Sequence, residues 1–440
     1  MISSISRARR WLAVAYLAVV VIATWQRGFI SREHTTFPIF RQSFVHLSAH
    51  QDLYASYPLE QGPAAQDLFK YSPTAAMLFA PLSSVPFLAG LFLWNLCNAG
   101  LLFFAITRLL RGNAANMALA LLLPEVLTAV QASSSNALVA ALMLLGLHWI
   151  ARGKQAPAAL MIALGAAIKI FPLAVASVAV TRGDRWRFAL AIALSGVVVL
   201  ALPLSVVSAP ELAAQYQSWH ALELKDAGDV DFGMSFIRAM RAFWATATPN
   251  WAFQLAGTLL VLVPLLRRDR WQDASFQLHF GCSLLMFAVL FNHQAERQSM
   301  VIAATGCVIW LNSRAWSWRL AALYGVALTG ASVLPYAVLW LVMQHELLAG
   351  DLAVAPAAWR ARIVRHLTPA RVAACRACCM PVSRLRWTCV DCRTIAPAWP
   401  YYGFPELAVR FAAFVLLADE VTQGHFIFGW NLWDLVQPIS

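Results

Sequence analysis

The run Ala159-Leu-Met-Ile-Ala-Leu-Gly-Ala-Ala-Ile-Lys-Ile-Phe-Pro-Leu-Ala-Val-Ala176 carries one charge, Lys169, and no acidic residue that could neutralise it. An ammonium is costly in hydrocarbon, so intramembrane lysines face polar cavities and mark the path of a substrate or ion. Three residues on, Pro172 removes a helical hydrogen bond and crowds the preceding turn, which predicts a break between Lys169 and Pro172. Arg152 and Lys154 precede the run and the basic segment 182–187 follows it, so both flanks belong on one side of a membrane. The interval between them is too short for two crossings of about 20 residues each. The predicted form is a pair of short helices that rises, breaks at Lys169 and returns, with the ammonium in the outer half of the bilayer. Residues 72–86, punctuated by Pro73, Pro81 and Pro86, predict a second broken element. Such elements survive at membrane depth only where they line a cavity.

The rest of the chain supplies the membrane context. Of its 440 residues 60% are hydrophobic and only 12% charged, a balance foreign to soluble globular proteins. Apolar runs at 11–25, 87–106, 116–130 (interrupted by Pro124 and Glu125), 137–150, 188–207, 252–266, 280–291 and 301–311 predict an all-α, polytopic transmembrane bundle. Counting breaks at charges and prolines gives roughly 10–12 segments. The first run follows Arg7, Arg9 and Arg10 without a small-residue cleavage site, and reads as a retained helix.

The net charge of +12 does not point to nucleic acid, because the basic residues sit in short loops between apolar runs. The positive-inside bias makes the loops bearing Arg7, Arg9 and Arg10, Arg108 and Arg111, Arg152 and Lys154, 182–187, 267–270, and Arg314 and Arg319 cytoplasmic. Residues 27–73, 131–136, 208–250 and 292–300 are then outward. Two of these outer loops are long and hold much of the polar and aromatic chemistry.

Four elements occur in an informative order. They are Asp67-Leu-Phe-Lys-Tyr-Ser-Pro-Thr-Ala-Ala-Met-Leu-Phe-Ala-Pro-Leu82, Ser135-Asn136 opening an apolar helix, Gly165-Ala-Ala-Ile-Lys-Ile-Phe-Pro172, and Asn292-His-Gln294. In this order the chain resembles glycosyltransferase family 87 over roughly residues 11–311. The resemblance implies a GT-C-type membrane enzyme that moves a sugar, mannose first, from a polyprenyl-phosphate donor to a glycolipid or envelope glycan acceptor. Transfer would take place at the outer face of the bacterial inner membrane, with inversion and without a cofactor. A lipid-phosphate donor enters from the bilayer and must meet cations at membrane depth, for which Lys169, Lys70 and Arg238 are the candidates. Phosphate leaves already charged, so one general base suffices. This differs from the two carboxylates of a glycosidase.

The chain departs from the family at that base. Members carry an aspartate soon after the first membrane helix, and spacing from Asp52-Leu-Tyr54 puts this position near Thr36 or Phe37, where no aspartate stands. Glu33, then Asp52, then His293 are the candidate bases. The alternatives are an acceptor that supplies its own base, or a non-catalytic descendant that serves envelope assembly. Tyr71, Asn136, Asn292 and Gln294 are candidate sugar or acceptor ligands, although Asn136 and Gln131 could equally cap the helix that follows. Tyr216, Trp219, Trp244 and Trp251 suit either sugar stacking or an interfacial belt.

Beyond this domain, residues 1–350, the character changes. Residues 351–403 form a basic cytoplasmic segment in which Cys375, Cys378, Cys389 and Cys392 have the spacing of a short zinc ribbon, with a poorly ordered tail as the alternative. Residues 404–440 turn apolar again and read as a last helix or an interfacial segment. No repeat, Gly-rich phosphate loop, His-Glu-x-x-His or Gly-x-Ser-x-Gly is present. A transporter or flippase of a lipid-linked anionic substrate is the competing function, although it would be expected to show repeated halves.

Overall fold

The computed structural model describes residues 2–30, 36–57, 68–227, 233–244, 248–314, 317–330 and 332–350. Glu33, segments 351–403 and 404–440, and with them Cys375, Cys378, Cys389 and Cys392, lie outside the described residues. The chain forms α1 (Ile2–Trp25), α2 (Phe37–Ser48), α3 (Pro73–Met77), α4 (Ala80–Ser83), α5 (Phe87–Leu109), α6 (Gly112–Gln131), α7 (Asn136–Ala151) and α8 (Gln155–Ile168). A 3-10 helix, Phe171–Thr181, follows. Then come α9 (Arg185–Ala201), α10 (Ala209–Ala227), α11 (Phe236–Trp244), α12 (Asn250–Leu262), α13 (Ala274–Leu290), α14 (Met300–Ser313), α15 (Trp318–Leu328) and α16 (Leu334–Ala349).

Apolar residues on every side of a helix imply burial on every side, and α7, α13 and α14 are buried along nearly their whole length at the centre of the bundle. The outer helices differ. Trp11, Val21 and Ile22 on α1, Leu190, Leu194 and Val197 on α9, and Leu255 and Leu259 on α12 are large apolar side chains left exposed. Exposed apolar faces of that extent suit lipid. Four helical stretches among the described residues, Arg7–Ile30, Phe87–Leu109, Gly112–Gln131 and Arg185–Ser205, are long and apolar enough to cross a membrane. Others, such as α7 and α8, are apolar but shorter. Pro124 does not end α6, which runs through it. The two long outer loops are themselves partly helical, the first holding α2 and the second α10 and α11.

The predicted hairpin at Lys169 is present. α8 has 14 residues, a rise of about 21 Å. The returning 3-10 helix has 11 residues, about 22 Å at its steeper rise, so the two legs span equal depth. Their feet meet where the Gln155 amide donates to the Asp184 carboxylate. At the tip, Lys169 is extended (φ −144°, ψ 132°) although its N–H still reaches the Gly165 carbonyl at 2.9 Å. Pro172 falls in the first turn of the return leg, where a missing N–H costs nothing. Gly165 lets the legs close, because a Cβ there would lie 3.0 Å from the Pro172 ring.

Contacts sort the polar groups into two ends. At one, Arg9 binds Asn116 and the Gly112 carbonyl, Gln272 reaches the Thr181 carbonyl, and Arg314 pairs with Glu346 at 2.8 Å. At the other, Arg27 binds the Gln131 carbonyl and Thr36 the carbonyls of Ala132 and Ser133. The basic loops thus gather at one end, as their charge pattern predicts.

Close packing in the centre rests on small residues. A Cβ at Gly306 of α14 would lie 2.4 Å from the Cys282 backbone oxygen of α13. Main chain cannot swing aside, so Gly306→Ala is expected to push the two helices apart and cost about 1–3 kcal/mol, read as a lower melting temperature in detergent.

Candidate functional site

The α6–α7 turn builds the first part of the site. Ser133 takes a left-handed conformation (φ 51°), a strained choice for a residue with a Cβ, and its carbonyl accepts from both Trp94 Nε1 (2.7 Å) and Thr36 Oγ1 (3.1 Å). α7 starts three residues later. Of its first N–H groups, that of Leu138 is taken by Asn98 Oδ1 and that of Val139 by the Ser135 carbonyl. Those of Asn136 and Ala137 have no partner among the described residues. Lys169 Nζ arrives from the hairpin tip and donates to Asn136 Oδ1 at 2.8 Å. The Asn136 amide nitrogen in turn donates to Ser134 Oγ at 3.2 Å. Asn136 is 1% exposed and spends both ends of its amide on these bonds, so the structure places it as the holder of Lys169. Ser135 Oγ, also 1% exposed, has no hydrogen-bond partner. Free helix N–H groups, an ammonium and an orphaned hydroxyl in one place form an anion site in need of oxygen acceptors.

The Phe69-Lys-Tyr-Ser-Pro73 element lies against this turn. Ser72 Oγ donates to the Ala167 carbonyl, two residues before Lys169, and the Tyr71 ring centroid is 6.0 Å from Lys169 Nζ. Tyr54 from the first outer loop donates its hydroxyl to the Tyr71 carbonyl at 2.8 Å. Thr74 continues the contact by donating to the Val199 carbonyl on α9 (3.0 Å).

α10 lies over the same element. Asp226 Oδ2 pairs with Lys70 Nζ at 2.7 Å, Glu223 Oε1 accepts from Trp219 Nε1 at 3.2 Å, and the Tyr216 hydroxyl meets Thr74 Oγ1 at 3.2 Å. The Glu223 carboxyl is held above its ordinary range, chiefly by desolvation and also by the charge of Asp226, while Lys70 and the Trp219 N–H oppose the shift. His293 ties the end of α10 in place. One ring nitrogen contacts the Asp226 carbonyl (3.2 Å) and the other Gln254 of α12 (3.2 Å).

The turn that carries His293 is anchored from below. Arg297 Nη1 reaches Glu125 Oε2 at 2.5 Å, and the Tyr336 hydroxyl donates to Glu125 Oε1 at 3.2 Å. Glu125 is fully buried. This pair joins the middle of α6 to the outer turn and so fixes Glu296, whose carboxylate acts electrostatically on Lys169.

The remaining sequence candidates are placed as follows. Asp52 turns a carboxylate oxygen to the Tyr54 N–H, within its own loop. Asn292 Oδ1 accepts from the Gln294 N–H at 3.1 Å, closing the outer turn. Arg238 is on α11 and binds the Gly233 carbonyl. Lys169, Lys70, Tyr71, Asn136 and His293 are therefore linked through shared partners. Sequence reasoning missed the roles of Asp226, Glu223 and the Glu125–Arg297 pair. A buried glutamate beside a proline in an apolar helix was the available signal for Glu125. Asp226 is one of several carboxylates of a polar loop that sequence alone does not tell apart.

The model of glycosyltransferase family 87 matches residues 69–292, just over half of the chain. Among solved structures, the crystal structure of ArnT from Cupriavidus metallidurans bound to undecaprenyl phosphate is similar over 81% of this chain and 76% of that one, with 13% identity and a TM-score of 0.37. No curated protein matches.

Removal of one partner from a buried ion pair leaves an uncompensated charge. Glu125→Ala or Arg297→Ala is accordingly expected to cost about 3–5 kcal/mol. The double variant Glu125→Leu/Arg297→Met should recover much of that stability, which thermal unfolding in detergent would detect.

Proposed function

Because the chain belongs to glycosyltransferase family 87, we propose that it transfers a hexosyl group, mannosyl first, from a polyprenyl-phosphate donor to a glycolipid or envelope glycan acceptor. The proposed location is the outer face of the bacterial inner membrane. One observation carries the donor class: the anion site of Lys169, the Asn136 and Ala137 N–H groups and Ser135 Oγ stands at the tip of an apolar hairpin. That hairpin packs against α9, whose other face is exposed and apolar. A phosphate carried on a hydrocarbon chain can reach such a site from within the bilayer, whereas a nucleotide sugar would have to arrive from water.

In the proposed reaction an acceptor hydroxyl attacks the anomeric carbon as its bond to the phosphate oxygen breaks. The hydroxyl proton passes to a base, and the electron pair leaves with the lipid phosphate. Lys169 and the α7 N-terminus stabilise the negative charge that gathers there. Glu33, Asp52 and His293 are the bases drawn from the sequence. Of the two described, Asp52 is bonded within its loop and His293 has both ring nitrogens occupied.

The test incubates purified protein with polyprenyl-phosphate mannose, glucose and arabinofuranose and a membrane lipid extract. Mannosyl transfer is expected, and no transfer with any donor would overturn the reading. Lys169→Ala should weaken binding of undecaprenyl phosphate tenfold to a hundredfold, since a hydrogen bond from a charged group is worth about 1.5–3 kcal/mol. Ser135→Ala should weaken it a few fold.

A further inference from the structure

We propose that α10 is the acceptor-binding element and that Glu223 takes the proton from the attacking hydroxyl of a sugar acceptor. This rests on the transferase reading and adds to it an acceptor-binding element and a base.

Gln215, Tyr216, Trp219, Glu223 and Asp226 are separated by one, three, four and three residues, which sets them along one face of a helix. Each makes a recorded contact that fixes where this face points. Gln215 Nε2 donates to the Gln51 carbonyl (2.8 Å) and its Oε1 accepts from Leu53 N (3.0 Å), which fastens α10 to the first outer loop. Tyr216 reaches Thr74, and Asp226 reaches Lys70, at the two ends of the element that flanks Lys169. The stripe therefore looks onto the same segment that borders the anion site.

Its composition suits a carbohydrate. Trp219 offers a broad aromatic face on which a sugar ring can lie, with Tyr216 beside it at 6.2 Å between ring centroids. Glu223 is one helical turn further and spends only Oε1, on the Trp219 N–H. Its other oxygen has no partner among the described residues. A sugar stacked on the indole would present a hydroxyl to that oxygen. The Trp219 hydrogen bond also fixes the carboxylate relative to the ring it serves. Asp226 turns its carboxylate to Lys70 instead. Its place is to set the charge around Glu223.

The step balances. The acceptor O–H bond breaks, its proton goes to Glu223, the oxygen forms the new glycosidic bond at the anomeric carbon, and the old bond to phosphate breaks with its electron pair. The phosphate remains with Lys169, and Glu223 later releases its proton to water. No further reactant is needed.

Glu223 must be ionised to act, so turnover falls as pH drops through its raised value. The groups facing it are Lys70 from the 69–74 element, Tyr54 with Asp52 behind it from the first loop, Trp219 and Asp226 on α10, and His293 at the Asp226 carbonyl. Asp226 raises the value and Lys70 lowers it, so their removal should shift the acid limb of kcat in opposite directions.

The experiment measures transfer from polyprenyl-phosphate mannose to octyl mannoside, at saturating donor, across pH. Glu223→Gln is expected to lower kcat about a hundredfold or more while undecaprenyl phosphate binds as before. Asp226→Asn should move the acid limb of kcat to lower pH and Lys70→Met to higher pH. Trp219→Ala should raise the KM for octyl mannoside several fold, with Trp219→Phe retaining most of the affinity. Wild-type kcat in Glu223→Gln, or an acid limb that moves with neither neighbour, would overturn the assignment while leaving the transferase reading intact. Absence of transfer by the wild-type protein from every donor would overturn both.

Discussion

An ammonium at the tip of an apolar hairpin has to be solvated by protein, and much of the outer end of this molecule is arranged to do so. Lys169 takes the Asn136 side chain as its nearest partner, and Asn136 can serve only because Ser133 accepts a strained turn that starts α7 at that point. Tyr71 sits alongside, and Glu296 supplies the opposing charge from a turn that the buried Glu125–Arg297 pair holds in place. Each support comes from a different part of the chain.

This explains which features could be read from the sequence and which could not. The hairpin was legible because its causes are local: a lysine, a proline three residues on, and basic flanks too close for two crossings. The grouping of the basic loops at one end was legible for the same reason, since charge bias is counted along the chain. The partners of Lys169 were not. Asn136 is 33 residues away and Glu296 is 127 residues away, and helix periodicity says nothing about which turns meet at the end of a bundle. Asn136 also invited two readings, sugar ligand or cap. Only the arrival of Lys169 distinguishes a third, that of a side chain which orients a cation.

The second outer loop was the least legible region. Its carboxylates looked equivalent in sequence, yet Asp226 faces Lys70 and Glu223 faces Trp219 because α10 is a helix that presents them on one side. The helix was hidden by a polar composition that reads as a solvated loop, and its stripe becomes apparent only against the surface it covers. Thr36, near the position where the family resemblance implies an aspartate, is turned toward the α6–α7 backbone through its hydroxyl. A residue there touches the same turn that starts α7.

The exposed apolar face of α9 bears on how the protein would be measured. α9 meets α8 through Ala163, Ala167 and Val199, small side chains that leave its large residues directed outward. On the proposed donor, substrate and spent carrier both travel through the lipid on that side. The concentration that governs rate is then a mole fraction in a two-dimensional film. Adding detergent at constant donor would dilute the substrate on that surface and slow turnover, although neither the volume nor the amount of donor had changed.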